Sequence, residues 1–167
     1  MKKKKGQRRG ISAEEVFRNS VLQRVRRDIR EHGFSVILVD SQPKFAYTVG
    51  LAPEMPELFA MGMPHEALQA LFQTVFMRRR EEGVAYEIGK PYDGICVGFP
   101  CQFHAVDKQY YGEWLKIAVY YHRSAGFPCW QVVWPDPQAR FPWEEGFDRR
   151  FDQAQRLLFT RAKEGNA

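Results

Sequence analysis

No apolar run in this chain approaches the ~20 residues a membrane-spanning helix needs. The lysine-rich opening is followed by no hydrophobic stretch, so it does not read as a secretory signal. No membrane partner is expected. Cysteine is scarce: Cys96, Cys101 and Cys129 are an odd count in 167 residues. That excludes a disulfide-stapled miniprotein and points to reduced thiols in a cytoplasmic protein. Glycine-rich phosphate loops are missing, since Gly94-x-x-x-Gly98 has no Gly-Lys pair after it and no G-x-G-x-x-G occurs. There is no G-x-S-x-G elbow for a serine nucleophile. No cofactor is expected.

What is present fits one folded domain. A chain of 167 residues, 44% hydrophobic and 14% aromatic, has enough apolar material for a core without disulfide or metal. The charge is unevenly placed. Residues 1–10 hold six of the 25 basic residues and no acid, leaving 19 against 20 acids, a net −1, for residues 11–167. The organisation expected is a basic tail over 1–10, one α+β domain over 11–163 and a short tail over 164–167. A basic tail binds phosphate without reading sequence, so nucleic acid is a partner only through residues 1–10.

Ser12-Ala13-Glu14-Glu15 has the pattern of a capping box, and Phe17, Val21, Val25 and Ile29 then recur as one helical stripe up to Gly33. Acids open this helix and arginines close it, as the macrodipole favours. Residues 34–39 are a short β-branched run, expected as a strand buried on both faces, paired in a hairpin with 44–51. A third short strand is expected over 58–62. A helix follows from Pro64 to Gly83, with Leu68, Leu71, Phe72, Val75 and Phe76 inward. The β pattern returns over 84–107, with a bend or edge at Pro100. A helix over 110–122, a strand over 129–134 and a last helix over 148–163 complete the chain. This irregular mixture predicts an α+β fold with a mostly antiparallel sheet and flanking helices.

Chemistry-bearing residues are few. Trp134-Pro135-Asp136 is similar to the mobile acid loop of tyrosine phosphatases. The residues six after the three cysteines are Gln102, Asp107 and Pro135, where that chemistry needs arginine. Cys96, Cys101, His104 and Cys129 are zinc-competent donors, but C-x4-C-x2-H lacks the tight C-x2-C knuckle, so no metal is assigned. Cys101 and His104, three apart on a strand, fall on opposite faces. His65 falls in the first turn of the expected helix, where a solvated side chain is the simpler reading and a base, ligand or hydrogen-bond donor the functional one. The abundant aromatics sit at core-forming positions.

Phe45-Ala46-Tyr47-Thr48-Val49-Gly50-Leu51, then Pro56-Glu57-Leu58 and Gly62, then Gln131-Val132-Val133-Trp134-Pro135-Asp136 and Phe141-Pro142-Trp143 form an ordered set. The set resembles the bacterial domain-of-unknown-function family 4262, from about Ile29 to Phe147. The resemblance implies a small bacterial domain with no assigned activity. It also implies a glycine ahead of Phe141, where Ala139-Arg140 stand, and often a Cys-rich start, where this chain has lysines. Tyr47, Thr48, Gly50, Glu57, His65, Gln131 and Asp136 lie in apolar strands or at their ends, where polar groups must be paired or used. They are the candidate ligand-binding residues, expected to meet in one cleft at the strand ends. The function expected is a small-molecule- or protein-binding, regulatory module. The alternative is a small hydrolase using Glu57 or Asp136 with a histidine, His65 or His104.

Overall fold

The capping box forms as read. The Glu15 amide donates to Ser12 Oγ at 3.2 Å, and Glu15 Oε2 accepts from the Ser12 amide at 2.9 Å. It opens helix α1 (Ala13–His32), which ends on Gly33 in the left-handed region at φ 91°. The structure is a computed structural model and describes residues 10–161. The expected tail over 1–10, apart from Gly10, and the expected tail over 164–167 lie outside the described residues. After α1 come β1 (Ser35–Val39), β2 (Phe45–Val49), β3 (Glu57–Met61), α2 (His65–Glu81), β4 (Tyr92–Cys96) and β5 (Phe99–Ala105). Two short helices, α3 (Tyr111–Trp114) and α4 (Lys116–His122), precede β6 (Cys129–Val133).

Six strands make one sheet in the order β1-β2-β3-β6-β5-β4. All neighbours are antiparallel except β3 and β6, which run parallel with Glu57 opposite Cys129 and Phe59 opposite Gln131. Alternation along the strands splits the core in two. Phe45, Tyr47, Val49, Phe59, Met61 and Cys129 face α1, α3 and α4. Ala46, Leu58, Ala60, Cys101, Phe103 and Val132 face α2, whose Leu68, Leu71, Phe72 and Val75 are buried. The fold is α+β with a mostly antiparallel sheet between helices. Among the described residues, no helix is long and apolar enough to cross a membrane.

Four local expectations need correction. β1 is an edge strand and its Leu38 is 40% exposed, so it is not buried on both faces. Phe17 is 68% exposed, because α1 lies on the sheet only through its second half, where Leu22 and Val25 are buried. The helix over 110–122 is broken at Leu115 (φ −122°, ψ 35°), whose side chain is fully buried. The break leaves the Ile117 amide without a helical partner, and Tyr47 Oη accepts from it at 3.1 Å.

The last helix, expected over 148–163, does not form among its described residues. A single 3-10 turn (Arg149–Phe151) is followed by irregular chain. Tertiary partners take the groups a helix would use. Gln155 pairs with the Trp134 backbone in both directions, at 2.9 and 2.8 Å. Gln131 donates to the Arg156 carbonyl and accepts from the Leu158 amide, each at 2.8 Å. The Asp107 amide donates to the Leu158 carbonyl at 2.8 Å. Leu158 is buried as expected, whereas Phe151 and Ala154 are only partly so.

Candidate functional site

The parallel β3–β6 pair gives the sheet two distinct ends. At one end lie the start of β3 and the close of β2; at the other lie Gly62 and Trp134. Asp136 comes seven residues after Cys129, the partner of Glu57. Glu57 pairs with the first residue of β6, Asp136 lies beyond its last, and the two carboxylates share no hydrogen-bond partner. The expectation of one shared cleft is therefore corrected, and the candidate residues fall into separate groups.

Thr48, Gly50 and Glu57 do meet. The β2–β3 ladder stops at Tyr47 opposite Phe59. Beyond it, Thr48 Oγ1 accepts from the Leu58 amide at 2.8 Å and donates to Glu57 Oε2 at 2.7 Å. Glu57 is fully buried and collects four further donors. The amides of Gly50, Leu51 and Ala52 reach it at 2.7, 3.3 and 3.4 Å, and His122 Nε2 at 2.9 Å. Gly50 has φ 105°, and a Cβ there would lie 2.6 Å from Ile29, so only glycine lets the loop close over α1. The Glu57 carboxylate thus knots the 48–52 turn and ties it to the end of α4. Tyr47 neighbours this group in sequence, but its ring faces α4, and burial pushes its hydroxyl up to about 12.

The histidine on Glu57 is His122, not His65 or His104. Its ring stacks on Phe127 at 4.4 Å. His122 closes the helix expected over 110–122, and nothing local in the sequence signals a partner 65 residues away. His65 instead reaches the Val39 carbonyl at 3.2 Å, at the opposite end of the sheet. Gln131 lies mid-sheet and is consumed by the C-terminal segment.

Asp136 is also fully buried, and it organises a loop. Oδ1 accepts from the Gln138 and Arg140 amides, both at 2.9 Å; Oδ2 accepts from the Asp148 amide at 3.0 Å and Arg140 Nε at 3.2 Å. Burial pushes this carboxyl up, but the amides of Arg140, Asp148 and Gln138 and the Arg140 guanidinium outweigh it and hold it below the usual range. The turn puts Ala139 in the left-handed region at φ 63°, so the conformation a glycine would supply is kept by an alanine.

This loop walls the main concavity. An apolar cleft of about 810 Å³ lies between α2, the β4–β5 hairpin and Trp134-Pro135. Ala67, Ala70 and Leu71 form one side, Ile95, Cys96 and Phe99 the second, and Trp134, Pro135, Pro137 and Phe151 the third. Trp134 is locked from behind: its Nε1 donates to the Met61 carbonyl at 2.8 Å, and Gln155 holds its backbone. A Cβ on Gly62 would lie 2.3 Å from the Ala154 carbonyl and 2.7 Å from the Trp134 ring, so the close packing behind the wall requires glycine. None of the polar candidates lines this cleft. Trp134 and Pro135, motif residues outside the candidate set, do.

The four zinc-competent residues divide as well. Cys96 and Cys101 lie on the α2 side, whereas Cys129 is on the other face with Glu57. His104 stacks on Phe159 at 4.5 Å and meets the edge of Trp143 at 4.8 Å. Among the described residues no three His, Cys, Asp or Glu groups are placed to hold a metal ion.

Residues 28–148 match the family model of a domain of unknown function, DUF4262, and the chain belongs to that family. No curated protein and no solved structure matches it.

Two predictions follow from the environments of Ala139 and His104. Ala139→Gly relieves a left-handed alanine, whose cost of ~1–2 kcal/mol is partly offset by glycine's larger unfolded-state entropy. Denaturant unfolding is expected to show a gain of about 0.5–1 kcal/mol; a loss would mean the turn needs the methyl group. His104 is held near 4 by burial first and by Arg161 second. The unfolded chain takes that proton near pH 6.5, so between about 6.5 and 4 the unfolded state binds more protons, and stability falls as pH falls. Above that window the stability is fully present. His104→Phe keeps the stacking and removes the titration. Between pH 7 and 4.5 wild type is expected to lose about 1–2 kcal/mol more than the variant.

Proposed function

We propose that this DUF4262 domain is a small-molecule-binding module whose site is the apolar cleft between α2, the β4–β5 hairpin and Trp134-Pro135. One observation carries the reading. A concavity of about 810 Å³ lies within the range of sites that enclose a small organic molecule, and its walls are apolar. Asp93 is the one charged residue along it, and it is solvent-exposed. The matching ligand is a largely apolar, uncharged molecule, with the Trp134 indole as a flat wall against it.

The polar motif residues support this site from behind. Asp136 shapes the turn that carries Pro135 and Pro137, and Gln155 and Gly62 seat Trp134. A supporting role explains why a buried aspartate follows Trp-Pro without touching the cleft. The hydrolase reading would rest on Glu57 with His122. Five donors on that carboxylate favour a structural knot, because a base needs a lone pair free for a substrate proton.

The test uses Nile red, a neutral apolar dye, and Ala70→Trp. Ala70 is an exposed α2 residue on the cleft wall, so a bulky side chain there fills the cleft without entering the core. Wild type is expected to enhance the dye's fluorescence, and the variant to bind it at least about tenfold more weakly with an unchanged melting temperature, a loss on the order of 1.4 kcal/mol. Equal binding by both proteins would overturn the assignment.

A further inference from the structure

Cys96 and Cys101 belong to opposite strands of one hairpin. In its register Cys96 faces Phe99, and Tyr92 faces Cys101, with an irregularity between. Phe99 and Cys101 are two apart on β5, so both cysteines project from the same face. The two side chains are neighbours on the α2 side of the hairpin, and each thiol perturbs the other. Cys101 is fully buried, while Cys96 is partly exposed and lines the apolar cleft. The Arg78 guanidinium lies beside this hairpin, on the Asp93 carbonyl and 3.5 Å from where a Gly94 Cβ would be. An accessible thiol at a cleft wall and a buried thiol beside it on the same face of one hairpin are the parts of a nucleophilic and resolving pair. Cys129 is buried on the other face of the sheet and lines no part of the cleft.

We propose that Cys96 and Cys101 form a redox-active dithiol that exchanges with low-molecular-weight disulfides entering from the cleft. The Cys96 thiolate attacks one sulfur of the disulfide, forming a mixed disulfide and expelling one small thiolate. Cys101 then gives up its proton and attacks the Cys96 sulfur, closing the protein disulfide and expelling the second small thiolate. Two protein thiols are oxidised, one small disulfide is reduced, and two small thiols leave with the two protons.

The electrostatics run in the same order. The Cys101 thiol lowers Cys96 against the burial that raises it. Cys101 is held high by the Cys96 thiol beside it, by burial and by the neighbouring sulfur's charge. Forming the mixed disulfide removes that charge, and with it part of the brake on Cys101. Cys129 is raised by complete burial and by the Glu57 charge, so it stays a thiol.

The experiment exposes the full chain to 2-hydroxyethyl disulfide, a small uncharged disulfide, blocks the remaining thiols and maps the peptides by mass spectrometry. A Cys96–Cys101 linkage with Cys129 still free is expected. Before oxidation, iodoacetamide is expected to modify Cys96 at least about tenfold faster than Cys129. Cys101→Ser keeps a hydrogen-bond donor, so Cys96 should alkylate at a similar rate yet stop at the mixed disulfide. Cys101→Ala should also stop there and alkylate several-fold more slowly. A wild-type protein that halts at the mixed disulfide, links Cys129, or labels Cys96 no faster than Cys129 overturns the proposal. No apolar ligand takes part in this assay, so its outcome is independent of the dye-binding test of the cleft.

Discussion

Glu57 has no contact with water, and five donors converge on its carboxylate. Taking a carboxylate out of water costs several kcal/mol. Hydrogen bonds to a charged group contribute ~1.5–3 kcal/mol each, so the full set offsets that cost where a partial set would not. The requirement propagates outward. The 48–52 backbone must turn its amides inward, Gly50 must adopt φ 105° against Ile29, and α4 must end with His122 over β3. One buried charge thereby joins the close of β2, the start of β3, α1 and α4.

The same economy governs the far end of the sheet. Asp136 is a second buried carboxylate with four donors, three of them backbone amides. It shapes a loop whose apolar residues, not its polar ones, face the cleft. Two buried carboxylates at opposite ends of a parallel strand pair are two anchors of one frame. Between them the sheet carries α2, and α2 with the β4–β5 hairpin leaves the cleft open beside the Trp134 wall.

Much of the fold was legible because it is governed by local chemistry. The capping box at Ser12, the Gly33 stop, the 45–49 strand and the inner face of α2 follow from neighbouring residues alone. The last helix failed where local preference met tertiary partners: Gln155 and Gln131 spend their amides on the chain backbone, which periodicity does not reveal. Among the candidates, Thr48, Gly50 and Glu57 share one hydrogen-bond network. The grouping of all the candidates into one cleft failed because a parallel β3–β6 register places Glu57 and Asp136 at opposite ends. His122 was missed because its partner is distant in sequence. The cleft walls are mostly alanine, aliphatic, aromatic and proline residues, types that read as core or turn in a sequence.

The central claim is that the saturated Glu57 carboxylate holds the frame together, and Glu57→Gln tests it with nearly unchanged volume. The glutamine can accept through one oxygen, but its amide hydrogens would point at donors. Equilibrium urea unfolding is expected to show a loss of about 3–5 kcal/mol, the cost of breaking a buried charge network. A variant within about 1 kcal/mol of wild type would contradict the account, since that is the cost of an ordinary hydrogen bond.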